Sequence, residues 1–132
     1  MIMLFMVLVL LILAACEDEN TETYTLSGTI TKSGVNDGII AYMKLVSPGA
    51  GMTAAALYFT EATFSGGAAT YSVSDIEEGE YTLFSFIDVN GNAGGETSAM
   101  PDAGDYVTST DVNIEDDKTL DAPENFWQVY QP

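Results

Sequence analysis

From Thr23 onward the apolar residues come only in short alternating runs, cut every few positions by Gly, Asn, Asp, Ser or Pro. No window keeps the spacing of an amphipathic helix. A chain written this way buries its apolar side chains by pairing strands and stacking sheets. Tyr24, Leu26 and Ile30 alternate with Thr25, Ser27, Thr29 and Thr31 in a first strand, and Lys32 to Gly38 is a turn. Ile39 to Val46 is more continuously apolar and reads as a central strand. Ser47 to Thr53 is a loop. In Ala54 to Phe64 the alanines allow a helix turn, while Leu57 to Thr60 and Ala62 to Phe64 favour a strand. Tyr71 and Val73 mark a fourth strand, Asp75 to Glu80 a tight turn, and Tyr81 to Ile87 a strand apolar on both faces. A long irregular stretch, Asp88 to Asp105, precedes a strand at Val107 to Ile114, and Leu120 to Pro132 closes the chain. Strands at such intervals predict one all-β domain over residues 23–132, a single immunoglobulin-like antiparallel β-sandwich of about seven strands. The single Cys leaves no internal disulfide, and a domain of this size buries a sufficient core without one.

Charge narrows the partners. The chain carries 20 acidic residues against 3 Lys+Arg, a formal charge of -17. Such a surface repels phosphate backbones, so no nucleic-acid partner is expected. With no His there is no His-based triad, imidazole metal site or imidazole base. The acidic pairs Glu77-Glu78 and Asp116-Asp117 are neighbours on turns and point apart, unlike a glycosidase pair. The expectation is a protein that is not an enzyme.

Residues 1–16 contain no polar or charged side chain before Cys16 and then switch to Glu17-Asp18-Glu19. Sixteen helical residues rise about 24 Å, short of a hydrocarbon core of about 30 Å, and fit a secretory segment better than a membrane span. Leu13-Ala14-Ala15-Cys16 resembles the lipobox of bacterial lipoproteins. That resemblance implies cleavage before Cys16, covalent diacylglycerol on its thiol, and a membrane partner reached through the lipid anchor. The acidic run resembles the signal that sends Bacteroidota-type lipoproteins to the outer membrane, facing periplasm or cell surface. It reads equally as a solvated acidic linker over residues 17–22.

Ser27-Gly28-Thr29-Ile30-Thr31, Tyr71-Ser72-Val73 and Ile76-Glu77-Glu78-Gly79-Glu80-Tyr81-Thr82-Leu83 resemble the carboxypeptidase-regulatory-like, or prealbumin-like, sandwich modules of secreted bacterial proteins. The Gly79 to Tyr81 spacing suits a tyrosine corner, in which the Tyr hydroxyl ties back to nearby backbone.

Asp88-Val89-Asn90-Gly91-Asn92-Ala93-Gly94-Gly95-Glu96 sets oxygen-bearing side chains at alternate positions with small residues between, a pattern suited to a hard cation such as Ca²⁺. It resembles the start of EF-hand-type loops and a loop of related small lipoprotein sandwiches. On that resemblance Asp88, Asn90 and Asn92 supply side-chain ligands, Gly94 a carbonyl, and Glu96 or Asp102 a completing carboxylate. The sixth and twelfth positions are Ala93 and Ala99, so affinity is expected at only about 10⁻⁴ to 10⁻³ M. The same residues also make a plain Asn/Gly turn.

Phe126, Trp127 and Tyr130 offer either an aromatic platform for a glycan or a plug closing the sandwich. Of the lysines, Lys44 is the one placed for an isopeptide bond of the collagen-adhesin kind, or else for an edge strand protected by its charge. Taken together, these readings predict a membrane-anchored, non-enzymatic binding or accessory module with an unidentified protein or glycan partner. A Ca²⁺-ordered loop and a carbohydrate-binding aromatic surface are its two candidate functional features.

Overall fold

The computed structural model describes residues 20–94 and 99–132. Cys16, the lipobox and the acidic run therefore lie outside the described residues, as does Glu96. Two sheets face each other in an immunoglobulin-like sandwich, as the alternation predicted. The strands are β1 (Thr23–Thr31), β2 (Ile40–Val46), β3 (Tyr58–Thr63), β4 (Ala68–Glu77), β5 (Gly79–Asp88), β6 (Tyr106–Ile114), β7 (Lys118–Thr119) and β8 (Gln128–Val129). One sheet has the order β4-β1-β7 and the other β3-β2-β5-β6-β8. β2 and β5, the most continuously apolar runs, are interior strands of the larger sheet, since only an interior strand can bury both of its faces.

The period-two alternation fixes what lies between the sheets. Leu26 and Ile30 of β1 and Tyr71, Val73 and Ile76 of β4 pack toward Met43 and Leu45 of β2, Leu83 and Ile87 of β5, and Ile114 of β6. The opposite face of the larger sheet carries a second cluster, Tyr42, Phe84, Phe86 and Ala99, with Met52, Phe59 and Ala93 packed on it. The Tyr42 and Phe86 rings stack with centroids 4.9 Å apart. Because Met52 belongs to the β2–β3 loop and Ala93 and Ala99 to the β5–β6 connection, these two long loops cover the sheet's outer face.

Four local expectations change. The third strand begins at Tyr58, so the alanines before it stay outside the sheet. Asp75 to Glu80 is mostly strand, with β4 running to Glu77 and β5 resuming at Gly79. Polar Ser74 and Asp75 remain in β4 because both face the single Thr25 across a bulge, with Asp75 at φ 59°. Among the described residues eight strands form, two of them short C-terminal additions to the sandwich, and one pair, β1 with β7, is parallel rather than antiparallel. β6 ends at the same pole where β1 begins, so the chain crossing there to the other sheet runs parallel to β1 as β7. Asp117 secures the crossing by accepting the Thr25 amide at 2.8 Å.

The tyrosine corner forms as read. The Tyr81 hydroxyl donates to the Glu77 carbonyl at 2.9 Å, across the Gly79 turn. Burial, and next the Tyr58 hydroxyl bonded to it, push the Tyr81 phenol up to about 12.

Lys44 departs from both of its readings. It lies on interior strand β2 at 2% exposure, between Phe59 and Phe84 in the register, so it is no edge residue. Its Nζ donates to the Met52 carbonyl at 3.2 Å, and no carboxamide or carboxyl group stands beside it for an isopeptide bond among its described contacts. Burial holds the ammonium below the ordinary lysine range. Lys44→Met keeps the stem volume and removes the buried charge. We expect it to raise stability by about 1 kcal/mol at neutral pH in chemical denaturation. The folded chain releases the Lys44 proton before the unfolded chain does, so wild-type stability rises as pH climbs toward the ordinary lysine range. The variant should lose that rise.

Candidate functional site

Strand direction gives the domain two poles. β1 starts at one pole and ends at the other, where β5 ends, β6 starts and the Asp88–Asp105 connection lies. The last residue of β5, Asp88, points to the outer face and is 3% exposed. Its Oδ1 accepts the amides of Gly91 and Asn92 at 2.9 and 3.1 Å, and its Oδ2 accepts that of Ala93 at 3.0 Å. The turn that follows has Gly91 at φ 73°, a conformation that disfavours any Cβ. One carboxylate thus satisfies three consecutive backbone donors and folds the loop back over the strand.

Asp105, just before β6, makes the second tie. It is 1% exposed, and it accepts the amide of Val89 at 2.9 Å through Oδ1 and that of Asp102 at 3.0 Å through Oδ2. Burial raises its carboxyl above the ordinary aspartate range, against the lowering by those two amides. Sequence reasoning passed over Asp105 because it lies outside the alternating run. Its signal was a carboxylate after Asp102-Ala103-Gly104, directly ahead of a strand.

Asn90, Asn92 and Asp102 form the solvent side of this knot. The Asn92 amide donates to Asp102 Oδ2 at 2.5 Å, and the Asn90 amide to Asp102 Oδ1 at 3.0 Å. The Asn92 bond first, and then the Asn90 bond, hold the Asp102 carboxyl below the usual range, so it stays ionised in mild acid. Gly94 follows with φ 80°. The structure places Asp88, Asn90, Asn92 and Asp102 in one hydrogen-bonded loop. It divides their roles, with Asp88 turned onto backbone amides and Asp102 facing solvent.

All of these donors are hard oxygens, suited in kind to Ca²⁺. The carboxylates nevertheless form no cluster of three acidic ligands around one point among the described residues. Asp88 is engaged by the turn, Asn90 Oδ1 accepts the Asn92 backbone amide at 3.1 Å, and the side-chain NH2 groups of Asn90 and Asn92 face Asp102, so Asp102 is the carboxylate left for a cation here.

The aromatic candidates separate. Trp127 is turned into the main core, and its Nε1 donates to the Ala122 carbonyl at 3.4 Å. Phe126, beside it on a short 3₁₀ turn, is exposed. The Tyr130 amide donates to the Asp105 carbonyl at 2.7 Å, fastening the tail to the pole that carries the knot. The three residues do not share an open face, because Trp127 is buried in the core while Phe126 is exposed. Trp127 is thus a plug of the sandwich, and its ring is not offered to a sugar.

Comparison with known proteins adds little at this point. No protein-family model and no curated protein matches the chain. Among solved structures it is similar to the pilus-presented adhesin Spy0125 (Cpa), at 16% identity and a TM-score of 0.27, over 79% of this chain and 27% of the adhesin. The chain thus spans about a quarter of that protein's length, and a likeness this distant carries no argument about function.

Proposed function

We propose that this chain is a non-enzymatic binding module of the bacterial cell envelope, anchored through lipid on Cys16, with a loop that takes up Ca²⁺ weakly at the end remote from the anchor. The observation that supports it is the placement of the two ends. β1 leaves the anchor segment at Thr23 and runs nine residues to the far pole, about 30 Å away, where the Asp88–Asp105 knot sits. A tether at one pole leaves the opposite loops facing outward. The buried carboxylates of Asp88 and Asp105 are engaged by backbone amides, an arrangement that organises the loop surface and supports a binding role. Trp127 in the core speaks against the glycan platform as the working surface.

Two measurements test this reading. Cys16→Ser should move the protein from the membrane to the soluble fraction of its host, and retention in the membrane would remove the lipid anchor. On protein lacking residues 1–16, millimolar Ca²⁺ at about tenfold excess over Kd should add about 1.4 kcal/mol, raising Tm by about 6 °C. Asp102→Asn should abolish the response with little change in the apo Tm. A Tm indifferent to millimolar Ca²⁺ sinks the cation site and leaves the loop as a self-sufficient turn.

A further inference from the structure

The larger sheet ends in an incomplete edge. β8 pairs with β6 only at Tyr106 and Val107. The next residue back along the chain, Trp127, would stand opposite Thr108, but it leaves the sheet plane and enters the core. From Thr108 to Val112 the outer edge of β6 has no strand partner among the described residues. Free edges are usually blunted by Lys, Pro or a bulge, because their unpaired backbone groups are templates for another strand. Thr108-Ser109-Thr110-Asp111-Val112 contains no Lys or Pro, and its register with β5 is unbroken.

The surroundings describe the strand this edge would take. Two shallow grooves run beside it on the surface. One, of about 390 Å³, is lined by Phe84, Val107, Ser109 and Phe126. The other, of about 320 Å³, is lined by Pro48, Glu80, Asp111 and Asn113. On the inner side, Thr108 and Thr110 border a slot of only about 10 Å³ beside Leu120 and Ala122, which admits small side chains alone. Lys32 is paired with Glu124 and Lys44 is buried, while Lys118 donates to the Asn113 carbonyl at one end of the acidic groove, so among the described residues Glu80 and Asp111 have no lysine as an ion-pair partner. A second copy adding its own β6 would bring Asp111 as that strand's charged side chain and no cation to Glu80 and Asp111.

We propose that the free edge of β6 binds an extended cationic peptide segment as an added antiparallel strand. Its outward side chains are Lys or Arg facing Glu80 and Asp111, its inward ones are small, and an apolar residue reaches Phe126. The ladder from Thr108 to Val112 is about 17 Å long, enough for a short linear segment of a partner protein. This surface is separate from the Asp88–Asp105 knot and does not depend on Ca²⁺.

The probe is a short labelled peptide alternating Lys and Thr, titrated into the purified chain at low salt with hydrogen exchange followed on β6. We expect saturable binding, slowed exchange at Thr108 to Val112, and at least tenfold weaker binding both for the peptide N-methylated on its ladder-facing amides and for Glu80→Lys. Glu80 is exposed, so that variant should fold normally. Equal binding of the methylated peptide would reduce the interaction to charge attraction and overturn the proposal. So would an absence of binding, or a concentration-dependent dimer that protects β6 without peptide.

Discussion

Asp88→Ala should lower the unfolding free energy by about 3 kcal/mol and release the Val89–Asp105 connection from the outer face of the larger sheet. The cost follows from burial and stoichiometry. One carboxylate accepts the amides of Gly91, Asn92 and Ala93, and its removal leaves three donors to find water inside a packed corner. The loss also reaches the apolar layer, because Ala93 and fully buried Ala99 on this loop cover Phe84 and Phe86. Denaturation curves should show the drop in stability. Hydrogen exchange should show Gly91, Asn92 and Ala93 exchanging far faster, with the β1–β4 ladder still protected. Asp88→Asn, which keeps one acceptor oxygen, should recover part of the loss. If Asp88→Ala costs under 0.5 kcal/mol, the knot is not what holds the loop.

Gly28→Ala should be at least as severe, for a steric reason. A Cβ at Gly28 would stand 2.0 Å from the Leu120 carbonyl oxygen and 2.9 Å from Cε1 of Tyr71. The nearest obstacle is backbone, so the C-terminal segment must move away from β1. That strains the bonds from the Leu120 amide to Ser27 at 2.8 Å, from the Ala122 amide to Thr29 at 3.0 Å, and from the Tyr71 hydroxyl to Leu120 at 2.6 Å. Overpacking of this kind costs about 3 kcal/mol or more. The native-state emission of Trp127, the single tryptophan, should also shift to the red, since its ring is held in the core just beyond Ala122. A variant with wild-type stability and unchanged emission would mean that the segment at Leu120 adjusts freely.

Both predictions turn on residues the sequence had already singled out for other reasons. Gly28 stood in the Ser27 to Thr31 run, and the structure shows why no side chain fits at that position: the parallel segment after β7 lies too close to β1. Asp88 stood in the cation-loop motif, and the structure shows its carboxylate bound to amides. In both cases the spacing of residue types marked the position, while the partner came from a distant part of the chain or from the loop's own backbone.

What the sequence by itself determined is the class of fold and the order of its main strands. Alternation with period two and turn residues between runs act locally, so the positions of β1, β2, β5 and β6 and the interior places of β2 and β5 were legible before any contact was known. The tyrosine corner was legible for the same reason, since Tyr81 and its acceptor Glu77 are four residues apart. Tertiary structure alone decided the rest. The parallel course of β7 depends on where the crossing after β6 returns. The burial of Lys44 depends on a loop folding over the outer face, and the inward turn of Trp127 on space left between the sheets. The tie of Asp105 to Val89 joins the two ends of an irregular stretch with no period to read. Each of these is a contact between residues far apart in the chain or without regular spacing, and only packing in three dimensions selects among the partners they could take.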